Sequence, residues 1–332
     1  MPPAPDFGIS ILGVGGQVAT TPVTNEAVAA STGLDATEIV RKTGVEMRYR
    51  VADGETASGL STDASRAALA MAGIGPDRLG LVIGCTFSGD YIFPPMACRV
   101  AGLLGAKHAG AFDLQANCTG FQVGISVASD WLRQDLAVEY GLVIGAAVQS
   151  PYIDWTDSES IYFGDGAGAA VLGRVPAGYG ILSRDLLTNP VAYESVRLRG
   201  GGSSHPIRPE NVSEGMQYYE MNGLEVWKQV IQYQPTVIRG ALAKIGKSVA
   251  DVDFFIFHQA NLRLIEYLMA RMHEPMDKTY TNVASIGNTA DASLALALAG
   301  AVAEGRIRRD DLVVISGVGA GFTFGATVLR WY

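Results

Sequence analysis

Apolar residues in this chain fall into short unbroken runs rich in β-branched side chains, separated by glycine-bearing turns and by longer stretches with helical spacing. The runs Ile9–Val14, Leu79–Cys85, Tyr140–Ala146, Ala169–Gly173, Phe254–Phe257, Leu312–Ser316 and Ala326–Trp331 lack polar alternation, as strands covered on both faces do. Helical spacing marks Leu60–Ala72, Phe121–Leu132, Met221–Lys244, Leu262–Met272 and Ala292–Ala303. Strand and helix alternate, which predicts an α/β fold with largely parallel sheets.

The pattern also repeats. Arg78-Leu79-Gly80-Leu81-Val82-Ile83 is followed 173 positions later, from Ile83 to Ile256, by Asp251-Val252-Asp253-Phe254-Phe255-Ile256. Leu142-Val143-Ile144 matches Leu312-Val313-Val314 at an offset of 170, and Gly168-Ala169-Ala170-Val171-Leu172 matches Gly325-Ala326-Thr327-Val328-Leu329 at 157. Three matches in the same order predict two copies of one αβ unit, 1–176 and 177–332, meeting near Pro176.

Composition narrows the function. Of 332 residues, 48% are hydrophobic and 17% charged, which excludes a disordered chain. Twenty-five Lys and Arg face 33 Asp and Glu, a net charge of −8. No stretch concentrates enough cations to track a phosphate backbone, so no nucleic-acid partner is expected. The amino terminus, Met-Pro-Pro-Ala-Pro-Asp, has neither a basic n-region nor an apolar h-region, and no run of about 18 uncharged apolar residues occurs. A cytoplasmic protein with no membrane partner is expected. Cys85, Cys98 and Cys118 are too few and too unpatterned for a disulfide framework or a zinc cluster. No metal is expected, and an odd thiol count leaves room for a working cysteine.

Cys118, in Ala116-Asn117-Cys118-Thr119-Gly120-Phe121, immediately precedes a helical segment. A thiol there feels the positive end of the helix dipole, which favours the thiolate; the competing reading is a buried inert cysteine, which is the expectation for Cys85 and Cys98. His258 emerges from the end of the apolar run Phe254–Phe257, where open α/β sheets place ligands. It is either a base or hydrogen-bond donor or a satisfied core histidine; His108, His205 and His273 read as solvated surface. Asn288, in Ile286-Gly287-Asn288-Thr289-Ala290-Asp291-Ala292-Ser293, is either a helix cap or, through the 170-residue offset, the mate of Cys118. Gly319-Ala320-Gly321-Phe322 follows a strand, and its small residues suit either an oxyanion hole or tight packing.

Other motifs fail. Gly13-Val14-Gly15-Gly16-Gln17-Val18 has Val where the dinucleotide fingerprint needs Gly or Ala, and Pro22 hinders the helix that should follow. No Walker lysine, His-Glu-x-x-His or Gly-x-Ser-x-Gly pattern is present. Gly200–Ser204 reads as a mobile loop.

Cys118 in A-N-C-T-G-F, His258 in F-H-Q-A-N-L-R and Asn288 in G-N-T-A-D-A-S resemble the catalytic triad of β-ketoacyl-acyl-carrier-protein synthase III. Thr43-Gly44-Val45, Phe93-Pro94, Phe163–Ala169, Met221–Lys228 and Gly321–Gly325 extend the resemblance over essentially the whole chain. It implies the thiolase fold, two pseudo-symmetric αβ halves in a five-layered α-β-α-β-α arrangement. It implies further that Cys118 is acylated by a thioester, that His258 and Asn288 hydrogen-bond the second substrate's carbonyl, and that the backbone N–H groups of Cys118 and Ala320 form an oxyanion hole. Gln259, Ala260, Asn261, Leu262 and Arg263 match the segment that contacts the acyl carrier protein. The family is homodimeric, and Phe93 is expected to reach the neighbouring subunit's acyl pocket.

Two departures stand out. Glu38 occupies the position of a Trp that stacks on coenzyme A in housekeeping members; a carboxylate cannot stack and repels nucleotide phosphates. Asn117 and Thr119 replace small residues beside the cysteine. The expectation is a specialised, secondary-metabolism relative with no cofactor, using phosphopantetheine thioesters on a carrier protein and binding coenzyme A weakly. It would join the acyl group to a carrier-bound malonyl or β-ketoacyl thioester by Claisen condensation, with cyclisation to an α-pyrone as a variant. The competing classes are an acyltransferase acting on a sugar or alcohol hydroxyl, which would gain from a carboxylate such as Asp291 behind the histidine, and a silent partner subunit.

Overall fold

The computed structural model describes residues 6–332; the expectation placed on Met1–Pro5 lies outside them. Two mixed sheets share one plan. In spatial order the first runs Phe7–Val18, Gly166–Pro176, Tyr140–Ala147, Leu79–Cys85, Gly110–Leu114, and the second Gly180–Thr188, Thr323–Arg330, Leu312–Gly319, Phe254–Phe257. In each, two antiparallel pairings are followed by a parallel one. The first sheet then adds the parallel strand Gly110–Leu114, which the second echoes with an isolated parallel bridge between Phe255 and Thr279. Strands of the first sheet lie within 7–176 and those of the second within 180–330.

The expectation of largely parallel sheets is corrected: four of these seven pairings are antiparallel. Leu312–Gly319 and Thr323–Arg330 are joined by a tight hairpin, and only short 3-10 turns separate Tyr140–Ala147 from Gly166–Pro176. Chain reversal without a helical crossover forces antiparallel pairing.

Between the sheets lie Gly120–Gln134 and Ser293–Ala303. The second, Ser-Leu-Ala-Leu-Ala-Leu-Ala-Gly-Ala-Val-Ala, has no polar stripe because it is surrounded by protein. One core joins Ile83, Phe121 and Ile125 of the first half to Leu294, Leu298, Val313 and Ile315 of the second. Ala57–Ala72 and Met96–Leu104 cover the outer face of the first sheet, packing Leu60, Ala64 and Val100 on Val82 and Leu142. Gly223–Ala243 and Leu262–Met272 cover the second, setting Val230, Ile238 and Ile265 against Phe255, Val314 and Val328. The result is the five-layered thiolase stack.

Met221 falls in the strand Tyr219–Met221 rather than in a helix, which begins at Gly223 behind the cap Asn222, whose side chain accepts the Glu225 N–H. Each central helix is preceded by a 3-10 turn, Asn117–Thr119 and Ala290–Ala292, and the two turns pack on each other.

Candidate active site

Cys118 is the middle residue of the Asn117–Thr119 turn. Asn117 sits in the left-handed region at φ 48°, which asparagine tolerates better than most residues, and its Nδ2 donates to Ala320 O at 3.0 Å. Ala290 repeats that backbone at φ 42°, and the following helix begins at Ser293 as the first begins at Gly120. The residue matched to Cys118 is therefore Asp291. This corrects the pairing of Cys118 with Asn288: the offset of 170 came from a strand beyond the central helices, whose lengths differ between halves.

The Leu312–Gly319 strand runs directly against this turn. A Cβ on Gly319 would lie 2.6 Å from Ala116 O and 2.9 Å from Thr119 Oγ1, so only glycine permits the approach. Ala320 follows, half-buried, and among the described residues its N–H donates to no main-chain acceptor.

His258 continues the Phe254–Phe257 strand, donates its own N–H to Ser316 O at 3.1 Å, and is 6% exposed. Its Nδ1 lies 2.9 Å from Ser293 Oγ, which also accepts the Gln259 N–H at 2.6 Å. Ser293 Oγ keeps its proton and a second lone pair, so it pairs with Nδ1 in either tautomer; when the serine donates, the imidazole proton lies on Nε2, the ring nitrogen that faces away from it. Burial pushes the imidazole pKa down to about 4, so the ring is neutral near pH 7. Sequence reasoning missed Ser293, which appears in the Asn288 motif only as the start of a helix.

Asn288 is fixed on every side but one. Its N–H donates to Tyr162 O, its main-chain O accepts from Gly164 N and Gln149 Nε2, and its Oδ1 accepts from Ala290 N at 2.9 Å. Holding Oδ1 this way leaves Nδ2 as the free end. Two uncharged N–H donors, His258 Nε2 and Asn288 Nδ2, are thus prepared by their surroundings.

The charge state of Cys118 differs from the dipole argument. Burial, followed by the Asp291 carboxyl, pushes its thiol well above the ordinary value, so the resting site pairs a neutral thiol with a neutral imidazole. Asp291 is fully buried, and neither carboxylate oxygen has a partner among the described residues. Burial raises its pKa to about 8. Cys85 is enclosed as expected, whereas Cys98 is exposed on the Met96–Leu104 helix, correcting the expectation that it is buried. His108, His205 and His273 are exposed.

Of the residues expected to meet a carrier protein, Gln259 is 0% exposed. Its side chain donates to Phe257 O and Tyr280 O and accepts from Asn282 N, so it is a strut and not a contact. Ala260, Asn261, Leu262 and Arg263 are half-buried. Asn261 caps the Leu262–Met272 helix and donates to Lys42 O; Arg263 donates to Val40 O and Arg41 O, where its cation meets the carboxyl end of the Ala36–Thr43 helix. Glu38 on that helix is paired with Arg41 at 2.5 Å and Lys42 at 3.4 Å. These partners, above all the Arg41 hydrogen bond, lower its pKa to about 2. Glu38 thus stands beside two cations on the same helix. Phe93, beside exposed Ile92 and Tyr91, is 83% exposed.

Among the described residues no helix is long and apolar enough to cross a membrane, and no group of three or more His, Cys, Asp or Glu side chains is placed to hold a metal ion.

Residues 112–190 match the family model for 3-oxoacyl-[acyl-carrier-protein (ACP)] synthase III, and residues 242–331 match the model for its C-terminal region. The β-ketoacyl-[acyl-carrier-protein] synthase III of Natranaerobius thermophilus is 40% identical over 326 residues, covering 97% of this chain and 98% of the relative. The solved synthase III of Thermus thermophilus superposes with a TM-score of 0.90 at 34% identity, covering 97% of this chain and 99% of that one. The priming β-ketosynthase of the R1128 polyketide pathway gives a TM-score of 0.90 at 30% identity, with coverage of 99% and 98%. The chain belongs to the 3-oxoacyl-[acyl-carrier-protein] synthase III family of thiolase-fold condensing enzymes, which transfer acyl groups.

Proposed function

We propose that this enzyme loads an acyl group from a phosphopantetheine thioester onto Cys118 and joins it by Claisen condensation to a carrier-bound malonyl thioester, in polyketide or fatty-acid-type biosynthesis. The observation that carries this reading is the pair of neutral donors, His258 Nε2 and Asn288 Nδ2, each freed by a bond to its other polar atom. In the first half-reaction the Cys118 sulfur attacks the donor carbonyl. The new C–S bond forms, the donor C–S bond breaks, and the thiol proton ends on the departing pantetheine sulfur. Backbone N–H groups of Cys118 and Ala320 stabilise the tetrahedral oxyanion. In the second, the malonyl carboxylate leaves as carbon dioxide and its electron pair becomes an enolate. His258 and Asn288 hydrogen-bond the enolate oxygen. The enolate carbon attacks the acyl-Cys118 carbonyl, and the released thiolate takes a proton from water.

The environment of His258 favours this over transfer to a hydroxyl. A base that must deprotonate an alcohol gains from a carboxylate behind the imidazole; behind His258 stands the Ser293 hydroxyl, and Asp291 makes no hydrogen bond to it.

The donor is carrier-bound because Glu38 offers no face for adenine to stack on; Arg263, beside the Ala260–Leu262 surface, meets a carrier only by exchanging its ion pair with Glu266 at 3.0 Å. The exposed Tyr91-Ile92-Phe93 segment supports a homodimer in which Phe93 enters the partner's acyl pocket. Intact-mass measurement after incubation with acyl-carrier-protein and acyl-coenzyme A thioesters tests the reading. A mass increase from carrier-bound donors that vanishes in Cys118→Ala is expected; efficient labelling by short acyl-coenzyme A would return the enzyme to the housekeeping role.

A further inference from the structure

The hairpin tip Ala320-Gly321-Phe322 joins the strands Leu312–Gly319 and Thr323–Arg330, whose last ladder pair is Gly319 with Thr323. Ala320 therefore lies past the end of the ladder, which no longer fixes its peptide groups. On the far side of the tip, Phe322 is secured by two reciprocal main-chain bonds with Asn189, each of 2.9 Å. On the near side the corresponding anchor is a side chain: Asn117 Nδ2 donates to Ala320 O at 3.0 Å, across 203 positions of sequence.

The turn that carries Asn117 is itself held. Thr119 Oγ1 donates to Ala116 O at 2.7 Å, and the Thr119 N–H reaches the same oxygen at 3.3 Å. The strand presses on it from behind: a Cβ on Gly317 would lie 3.3 Å from Cys118 O, and one on Gly319 2.6 Å from Ala116 O. Asn117 is half-buried at φ 48°, a backbone that asparagine and glycine accept more readily than alanine. One residue thus touches both sides of the proposed oxyanion hole. The Asn117 carbonyl shares a peptide with the Cys118 N–H, and its side-chain amide holds the carbonyl of Ala320.

We infer that Asn117 is a positioning residue for acyl transfer: its amide locks the Cys118 turn to Ala320 and so holds the two backbone N–H donors at the spacing the tetrahedral oxyanion needs. The inference rests on the condensing-enzyme reading above. Donors stabilise a developing charge most when they are in place before it forms. With Gly319 pressed on the turn and the Ala320 carbonyl held by Asn117, the peptide that carries the Ala320 N–H is fixed at both ends. Loading and condensation each place an oxyanion on the acyl carbon at Cys118. Loss of the Asn117 amide therefore slows both half-reactions together, whereas loss of Asn288 affects condensation alone.

Asn117→Gly tests this by keeping the left-handed backbone and removing the amide. Cys118 acylation by a carrier-bound thioester, followed by intact mass, and condensation of the acyl-enzyme with malonyl-carrier thioester are each expected to slow by roughly tenfold, less than on removing an oxyanion donor outright. Isotope-edited infrared spectroscopy of the acyl-enzyme, its thioester carbonyl labelled with carbon-13, supplies the readout that a merely structural role would not move. The parent should give one carbonyl band, lowered by its two hydrogen bonds, and the variant a band that is split or shifted to higher frequency. Asn117→Asp keeps the shape of the side chain but turns a carboxylate oxygen toward Ala320 O, and should move the band the same way. A band unchanged in both variants, or condensation slowed with loading at the parental rate, overturns the positioning role and leaves the condensing-enzyme reading standing. Absence of any Cys118 adduct in the parent overturns both.

Discussion

Ser293 Oγ stands 2.9 Å from His258 Nδ1, joining the first residue of a buried central helix to a histidine at the end of a strand 35 residues earlier. The same oxygen receives the Gln259 N–H, so one hydroxyl holds both the backbone after the histidine and the Nδ1 side of its ring, and a serine that donates to Nδ1 favours the Nε2–H tautomer. Ser293→Ala removes that control. Condensation should slow by roughly tenfold while Cys118 still takes up acyl groups, and Ser293→Thr, which keeps the hydroxyl, should recover most of the loss. Nitrogen NMR of the imidazole supplies the decisive readout: the Nε2–H tautomer dominates in the parent and mixes with the other in Ser293→Ala. An unchanged tautomer ratio would remove Ser293 from the account.

The histidine is useful only while uncharged. Its pKa is lowered to about 4 from the ordinary 6.5, so condensation should show no loss attributable to His258 between pH 8 and pH 5 and should fall as pH approaches 4. The linkage has the corresponding sign. Between 6.5 and 4 the unfolded chain binds a proton that the native protein does not, so acidification erodes stability across that window. A loss of condensation centred near pH 6.5 would contradict a buried neutral imidazole.

Asp291 acts in the opposite pH direction. With its pKa raised to about 8 from 3.8, the native protein retains a proton that the unfolded chain has released. Stability therefore declines as pH rises between those values, by up to about 1.4 kcal/mol per pH unit. Asp291→Asn escapes this cost. Urea unfolding of the two proteins should give midpoints that diverge from pH 5 to pH 8 in favour of the variant; parallel curves would mean that the carboxyl finds a partner or solvent.

Coenzyme A should bind weakly. Glu38 is held by Arg41 and Lys42 on the Ala36–Thr43 helix and presents no ring. Calorimetry is expected to detect no tight complex with the parent protein, and Glu38→Trp should tighten binding by roughly tenfold, the scale of one base–aromatic stack. Micromolar affinity in the parent would sink the inference drawn from Glu38.

Much of this was legible in the chain because the relevant signals are local. The continuous run Phe254–Phe257 announced a buried strand and put His258 at its end; the polar break before Phe121 put Cys118 ahead of a helix. Two of the four edge strands were missed because they mix charge with apolar residues, as Asp113 does in Gly110–Leu114 and Arg184 and Asp185 do in Gly180–Thr188. Distance in sequence hid the rest. Ser293 gains its meaning only from His258, and the Asn117 amide from Ala320, 203 positions away. Asp291 was overshadowed by Asn288, because the central helices are 15 and 11 residues long and the strand beyond them carries an offset three positions smaller than the turns before them, enough to exchange one for the other.

The most direct test of the account separates its two half-reactions in a single variant. Asn288→Ala removes one donor for the enolate and touches neither the Cys118 sulfur nor the backbone donors of its acyl carbonyl. Intact-mass analysis should find Cys118 acylated at close to the parental rate, while formation of the carbon–carbon bond with malonyl-carrier thioester falls by about 10²–10³-fold, the loss typical of one removed oxyanion donor. A variant that fails to take up the acyl group, yet condenses normally once acylated by other means, would contradict the roles given to Cys118, His258 and Asn288.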